Sequence, residues 1–439
     1  MTTDSLFDQA AEQWSLEQLY RDLAAAKAEM MPHKRPELTE VEQVRLRGLL
    51  LGNSPAAIAE QQYTAVRTVE VALSQGLYRY VEVLTGRDRN SLDSWRNVVD
   101  WLESAGYRSS QVAINWALMP DVPVLYGREI ELDQLKGWML GQTPCRLIAI
   151  NGPAGIGKTS LAIRLAKNMQ PHFDGVIWQS LRHKPPLEKI LGQWLEQLPK
   201  DANNGANAWQ SESPDWDDQL RAVMQYLRDQ RCLVILDNFE SILSSGSLVG
   251  EYETEYEPYG EMLRRIGEQQ HQSCVVVTSR ESNRDTTGSS MLRPIRHLSL
   301  SGLKPEAAGN ILKEEALSTP TVWKLLVQQY RGNPLMLRIV AMTIREIFDG
   351  DVGKFLKKGF TTFGDIKYLI DKQYDRLSED ERDILGQLAQ QAEPIPMEDL
   401  NHAHLDAIRS LLRRSLIEKS AAGFTLRPVV MEYVRHHVA

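Results

Sequence analysis

Apolar residues recur along this chain in two rhythms. Between residues 124 and 300, short unbroken runs such as Leu147 to Ile150, Gly175 to Trp178, Cys232 to Leu236 and Ser273 to Val277 alternate with stretches of three-and-four spacing, such as Leu132 to Leu140. Unbroken runs suit strands buried on both faces, and their alternation with helices predicts a parallel α/β sheet. On either side the helical rhythm dominates. Leu6 to about Met31 reads as one helix ended by Pro32 and Pro36, giving an N-terminal helix over 1–37. Residues 38–86 form a compact helical unit. It opens on a capping box, Thr39 to Glu42, turns at Gly52 and continues through Ala56 and Thr64 to about Leu84. Residues 89–118 also read as helical, so 38–118 is taken as an adaptor and 119–300 as the sheet domain. The last third divides into a helical segment, 301–365, and a unit over 366–439. In that unit a helix near Leu411, a short hairpin through Gly423 to Leu426 and a helix from Val429 give winged-helix order.

The run Leu147 to Ile150 breaks at Gly152, Gly155 and Gly157, and a helical pattern follows Thr159. Gly152 to Thr159 fits G-x-x-x-x-G-K-[ST], the phosphate-binding loop. Its glycines let backbone N–H groups surround an anion, and the next helix aims its positive end at the same point. Gly152, Gly155, Ile156, Gly157, Lys158, Thr159 and Ser160 are therefore the expected nucleotide contacts. Lys158 is expected to reach the β- and γ-phosphates, and Thr159 to ligate Mg²⁺. The run from Cys232 ends in Asp237. A strand ending in aspartate beside the loop's strand is the expected second holder of Mg²⁺. Glu240 is a candidate general base, with an ordinary helix-start glutamate as the competing reading. Arg280 leaves the strand that ends at Thr278 and Ser279, where a cation can sense γ-phosphate.

Charge narrows the partners. The 439 residues carry 50 Lys and Arg against 58 Asp and Glu, a formal charge of −8. Around Thr64 to Glu70 a helix-turn-helix rhythm appears, but Arg67 is offset by Glu70. DNA binding draws on phosphate neutralisation, so DNA is not the expected partner. An effector protein docking on the N-terminal region is. Gly250 to Tyr259 alternates acids and tyrosines and reads as an exposed loop. Asp201 to Asp217 is polar and reads as a loop too. Cys145, Cys232 and Cys274 each stand at the start of an apolar run, which reads as burial rather than disulfide or metal ligation. No apolar run reaches membrane-span length and no signal peptide opens the chain, so a cytoplasmic protein without a membrane contact is expected. No internal repeat period is present.

Leu125, Gly127, Arg128 and Glu129, the phosphate-binding loop, Leu236 and Asp237, Thr278 to Arg280, Gly332, Asn333 and Pro334, and the winged-helix order of the tail occur in one sequence. Together they resemble the NB-ARC branch of the STAND signal-transduction NTPases, relatives of AAA+ proteins. Residues 38–122 are similar to the small N-terminal unit on bacterial NB-ARC proteins of the vWA/MoxR-associated type. The resemblance implies that Leu125 and Arg128 contact adenine, that Pro334 packs on the base and that Arg280 is the first sensor. It implies a switch in which ADP holds a closed monomer and ATP permits opening and homo-oligomerisation, with slow ATPase activity. Two positions depart from the family pattern. The acid after Asp237 is Asn238, which predicts slow hydrolysis. The Met-His-Asp near the end is replaced by Leu426, Arg427 and Pro428, where Arg427 can still bind a β-phosphate through its planar guanidinium. A nucleotide-regulated DNA-binding regulator and a turnover ATPase of AAA+ remodelling type stand as alternatives.

Overall fold

The structure, a computed structural model, describes residues 6–12, 14–31, 33, 35–92, 94–107, 112–114, 116–122, 124–141, 143–198, 215–248, 250–283, 285–286, 295–359, 362–400 and 405–438. The chain divides into two compact units, 1–111 and 112–439.

The first unit is helical. The expected opening helix is two pieces, a 3₁₀ turn at Asp8–Glu12 and a helix at Leu16–Met30. The break between them is fixed by a tertiary bond, because the Ser15 N–H donates to the Tyr107 carbonyl at 3.1 Å. Helix Glu40–Leu50 carries the predicted capping box, with Glu42 N–H on the Thr39 hydroxyl and the Glu42 carboxylate on the Thr39 N–H. The same carboxylate takes a 2.8 Å ion pair from Lys27, and these bonds hold its pKa below the usual range against the opposing effect of burial. Helices Pro55–Gln61, Val66–Gln75, Leu77–Leu84 and Arg96–Ser104 complete the unit around Leu19, Leu23, Leu46, Leu49, Ile58, Leu73 and Leu102.

The second unit is built on a sheet. Its strands among the described residues are β1 (Val112–Ile114), β2 (Leu147–Asn151), β3 (Gly175–Ser180), β4 (Cys232–Asp237), β5 (Cys274–Ser279) and β6 (Ile295–Ser299). They lie parallel in the order β1-β3-β4-β5-β2-β6. β1 falls inside the stretch expected to be helical, and three residues are too few to show a period. Every residue of β2, β4 and β5 is buried. Alternate side chains serve opposite faces. Leu147, Val234, Leu236, Val275 and Val277 pack under helices Leu187–Gln197, Trp216–Asp229 and Glu257–Glu268. Ile148, Ile150, Leu233, Ile235 and Val276 pack under helices Glu129–Leu140 and Lys158–Met169. The cysteines are buried at or just before the strand starts, as expected.

Two loop expectations change. The tyrosines of 250–259 face inward: Tyr252, Tyr256 and Tyr259 are all buried. Their hydroxyls donate to Asp285, the Lys184 carbonyl and the Pro185 carbonyl at 2.8, 3.0 and 2.7 Å. Of the polar stretch 201–217, residues 201–214 lie outside the described residues, and Trp216 and Asp217 already belong to a helix capped by Asp215. Beyond the sheet, helices from Pro305–Glu314 to Pro428–Val438 share one apolar core with an antiparallel hairpin, β7 (Ile417–Ser420) and β8 (Gly423–Leu426).

Candidate nucleotide site

The C-terminal ends of β2, β4 and β5 meet at one edge of the sheet, the usual place for a ligand in an open α/β fold. Between β2 and helix Lys158–Met169 the chain turns through Gly155 (φ 73°) and Gly157 (φ 99°), left-handed conformations that side chains disfavour. Gly155 is needed a second time. A Cβ there would stand 2.7 Å from the Leu335 Cβ and 3.0 Å from the Asn333 Oδ1.

Lys158 lies inside this loop, donating to the carbonyls of Gly152 at 2.8 Å and Pro153 at 3.0 Å. Burial lowers its pKa to about 8, opposed by the negative charge of Glu240 and reinforced by the positive charge of Arg280. An ammonium that donates to neutral carbonyls in a desolvated loop gains strongly from an anion placed against it. The Thr159 hydroxyl donates to Asp237 Oδ1 at 2.8 Å, bringing together the two residues expected to hold Mg²⁺.

Their strands are not neighbours, contrary to expectation. β5 lies between β2 and β4, and it supplies Thr278, which the sequence placed in a motif with Arg280 but gave no role. Thr278 donates from its hydroxyl to Asp237 Oδ1 at 2.6 Å and accepts the Asn238 N–H at 3.2 Å. Burial pushes the Asp237 carboxyl up, and the bonds from Thr278 and Thr159 oppose that rise. Asn238 takes a left-handed conformation (φ 61°), which asparagine tolerates better than most residues. Glu240 is buried on the short turn Phe239–Ile242. Its carboxylate is engaged by Arg280, with Nε at 3.0 Å from Oε1 and the backbone N–H at 3.1 Å from Oε2.

Gly332, Asn333 and Pro334 reach the loop from the C-terminal side. Asn333 caps helix Pro334–Phe348 through its Oδ1 and donates from Nδ2 to the Ala154 carbonyl at 2.8 Å. Leu335 N–H donates to the Gly155 carbonyl at 3.2 Å. Arg128 is a brace. Its Nη2 donates to the carbonyls of Ile156 (3.0 Å) and Ser301 (2.8 Å), and its Nη1 pairs with Glu131. Leu125 and Arg128 line a cleft of about 330 Å³ that also borders Arg164 and Asn168 of the loop's helix. Arg427 is placed elsewhere. It stands 3.5 Å from Glu418, which also pairs with Arg331 at 2.9 Å, and none of its described bonds goes to residues 152–160.

The oxygen donors of Thr159 and Asp237 suit Mg²⁺, which takes few protein ligands and keeps the remainder for water and phosphate. Among the described residues no group of three or more His, Cys, Asp and Glu gathers to hold a metal. No described helix is long and apolar enough to cross a membrane.

Residues 128–321 match the family model described as the NB-ARC domain. An uncharacterized WD repeat-containing protein of Nostoc sp. is 40% identical over 75% of this chain and 28% of its own length. A disease resistance protein of Oryza sativa subsp. japonica is 33% identical over 21% of this chain and 8% of its own length. The chain thus spans under a third of either relative. Among solved structures, a STAND protein with a tetratricopeptide repeat sensor from Pyrococcus horikoshii is 21% identical, with TM-score 0.39, over 73% of this chain and 43% of that one. A Walker-type ATPase of Pyrococcus abyssi is 15% identical, with TM-score 0.48, over 71% and 96%.

Proposed function

Taking residues 128–321 as the NB-ARC domain that they match, we propose that this chain is an ATP/ADP-controlled signalling switch. In this reading the nucleotide sets whether residues 366–439, read as a winged helix, are closed or open, and opening permits copies of the chain to assemble. One observation carries the reading. A buried lysine of lowered pKa, a helix N-terminus and the Thr159–Asp237 oxygen pair converge at one sheet edge, with Arg280 beside them.

The loop and Lys158 would hold the β- and γ-phosphates. Thr159 and Asp237 would hold Mg²⁺, whose chemistry is to neutralise charge between those phosphates. The cleft bordered by Leu125 and Arg128 is the place we assign to the base, with Pro334, at the start of helix Pro334–Phe348, assigned to pack on it. Slow hydrolysis is part of the proposal, because Asn238 replaces an acid and both oxygens of Glu240 are taken by Arg280. Tyr63, Val66 and Val71 stand exposed on the helical N-terminal unit, which supports an effector protein docking there.

Titration of ADP into wild type and Lys158→Ala tests the site. Truncating a buried charge that pairs with a ligand costs about 2–5 kcal/mol, so affinity should fall at least roughly thirtyfold. Equal affinities would remove the assignment. Solution mass with ADP and with a non-hydrolysable ATP analogue tests assembly, and identical masses would count against it.

A further inference from the structure

Two successive residues at the exit of β5 face different parts of the second unit. Side chains of an extended segment alternate in direction. Here Arg280 turns to Glu240, and Glu281 turns to Arg376 and Arg414. Arg376 lies just before helix Glu379–Gln390, and Arg414 just after helix Leu405–Arg413. Glu281 is therefore where the nucleotide side of the sheet meets the C-terminal helices.

The contact is dense. Glu281 Oε1 accepts from Arg376 Nε at 2.7 Å and from Arg414 Nη1 at 2.5 Å. Arg414 Nε donates to Glu381 Oε1 at 2.9 Å, and its Nη2 to the Ser247 carbonyl at 2.9 Å. Glu381 also accepts from the Ser410 hydroxyl at 2.6 Å and the Ser378 N–H at 2.9 Å. Exposure is 4% for Glu281, 0% for Glu381 and 3% for Arg414, so water screens these charges little. The two cations balance the two anions. Loss of any member leaves a buried charge uncompensated, which makes the contact closer to whole-or-open than to gradual.

Its near end is tied to the nucleotide site. The Glu281 carbonyl accepts from Asn151 Nδ2 at 3.0 Å, one residue before Gly152. Arg376 Nη2 donates to the Glu240 carbonyl at 3.1 Å, while Arg280 grips the Glu240 carboxylate by side chain and backbone together. Arg280 and Glu281 are successive, so the grip on Glu240 and the bonds of Glu281 act on one stretch of backbone.

We propose that Glu281, Arg376, Arg414 and Glu381 form a buried clasp that holds the C-terminal helices closed on the exit of β5, and that the grip of Arg280 on Glu240 keeps the clasp whole. The coupling rests on the switch reading, in which Arg280 turns to an added phosphate. The clasp itself is a contact within this chain.

Hydrogen exchange on the full chain, read by peptide, tests both parts. Glu281→Gln keeps the shape and removes the charge. It should raise exchange tenfold or more in helices Glu379–Gln390 and Leu405–Arg413, leave helix Lys158–Met169 unchanged and keep ADP affinity within threefold. Unchanged exchange in both C-terminal helices would overturn the clasp. Arg280→Ala touches no member of the clasp and should give a smaller rise in the same two helices. A rise in Glu281→Gln with none in Arg280→Ala would overturn the coupling. If Glu281→Gln does not fold, Arg376→Lys keeps the charge, loses the forked bonds and gives the same readout with the same two outcomes. A wild-type chain that binds neither ADP nor an ATP analogue would end the switch reading, whereas the exchange of Glu281→Gln would still decide the clasp.

Discussion

The loop around Lys158 and the cluster around Glu281 both bury charge, but they satisfy it in opposite ways. Among the described residues Lys158 donates to the neutral carbonyls of Gly152 and Pro153, and burial drives its pKa down to about 8 despite the nearby charges of Glu240 and Asp237. Glu281, Glu381 and Arg414 are about as deeply buried, yet they bond to charges of opposite sign at 2.5 and 2.9 Å. A buried charge that lacks a counter-ion costs free energy until a ligand supplies one. A buried charge that has its partners within the chain gives geometry instead. The first arrangement is poised for binding, the second for holding.

The largest test of this contrast is stability. Breaking a buried ion pair from one side costs about 3–5 kcal/mol. Arg414→Ala should therefore lower the unfolding free energy of the unit 112–439 by about that amount, read by urea titration with pulse proteolysis. Lys158→Met, without nucleotide, should leave it unchanged or raise it, because burial outweighs the attraction of Glu240 and Asp237 for this ammonium. Equal losses in the two variants would erase the distinction between the regions.

What could be read in advance follows the same division. The loop from Gly152 to Thr159 was legible because its chemistry is local, a fixed spacing of glycines before a lysine and a hydroxyl. Asp237 was legible as the polar end of an apolar strand. The neighbour relation was not, since crossovers rather than composition decide that β5 enters between β2 and β4, and the bond of Thr278 to Asp237 went unforeseen with it. Tyr252, Tyr256 and Tyr259 lie on an isolated β-bridge, a 3₁₀ turn and a helix in turn, so no single period marks the face they share. Glu281, Arg376 and Arg414 gave no signal, and Glu381 gave only that of a helix cap with Ser378. Each looks like a surface charge until residues far apart in sequence are folded together.

Between the two regions stands Thr278, a neutral group that serves the ligand side. Its hydroxyl bonds the Asp237 oxygen that Thr159 also uses. A hydrogen bond to a charged group is worth about 1.5–3 kcal/mol. Thr278→Val should weaken the Mg²⁺-dependent part of nucleotide affinity by tenfold or more, and Thr278→Ser should restore it. Measuring ADP affinity with and without Mg²⁺ separates this from a general loss. Equal weakening under both conditions would reduce Thr278 to packing.

Lys158 sharpens the contrast by pH. An anion favours the charged amine, so nucleotide affinity should be flat below about pH 8 and fall above it by up to tenfold per pH unit. The sign for stability is opposite. The folded pKa lies below the ordinary value of 10.5, so between about pH 8 and 10.5 the unfolded chain binds more protons and the nucleotide-free fold gains stability with rising pH. The difference between wild type and Lys158→Met isolates both trends, by calorimetric titration and by urea unfolding. An affinity that stays constant from pH 7 to pH 9 would contradict the burial of a charged lysine.

The smallest effect belongs to the arginine expected to act as a phosphate ligand. Arg427 approaches Glu418 at 3.5 Å, and Arg331 shares that carboxylate at 2.9 Å, with the three side chains 24%, 33% and 47% exposed. At this exposure water and salt screen the Arg331–Glu418 pair, and such contacts are worth about 0–1 kcal/mol, while the guanidinium of Arg427, whose pKa burial lowers, makes the longer contact. Glu418→Gln should therefore change stability by less than about 1 kcal/mol, and less still at high salt. Burial, not the number of arginines around a carboxylate, is what separates this cluster from the clasp at Glu281. A loss as large as that of Arg414→Ala would mean that exposure is the wrong measure of which cluster holds the C-terminal helices.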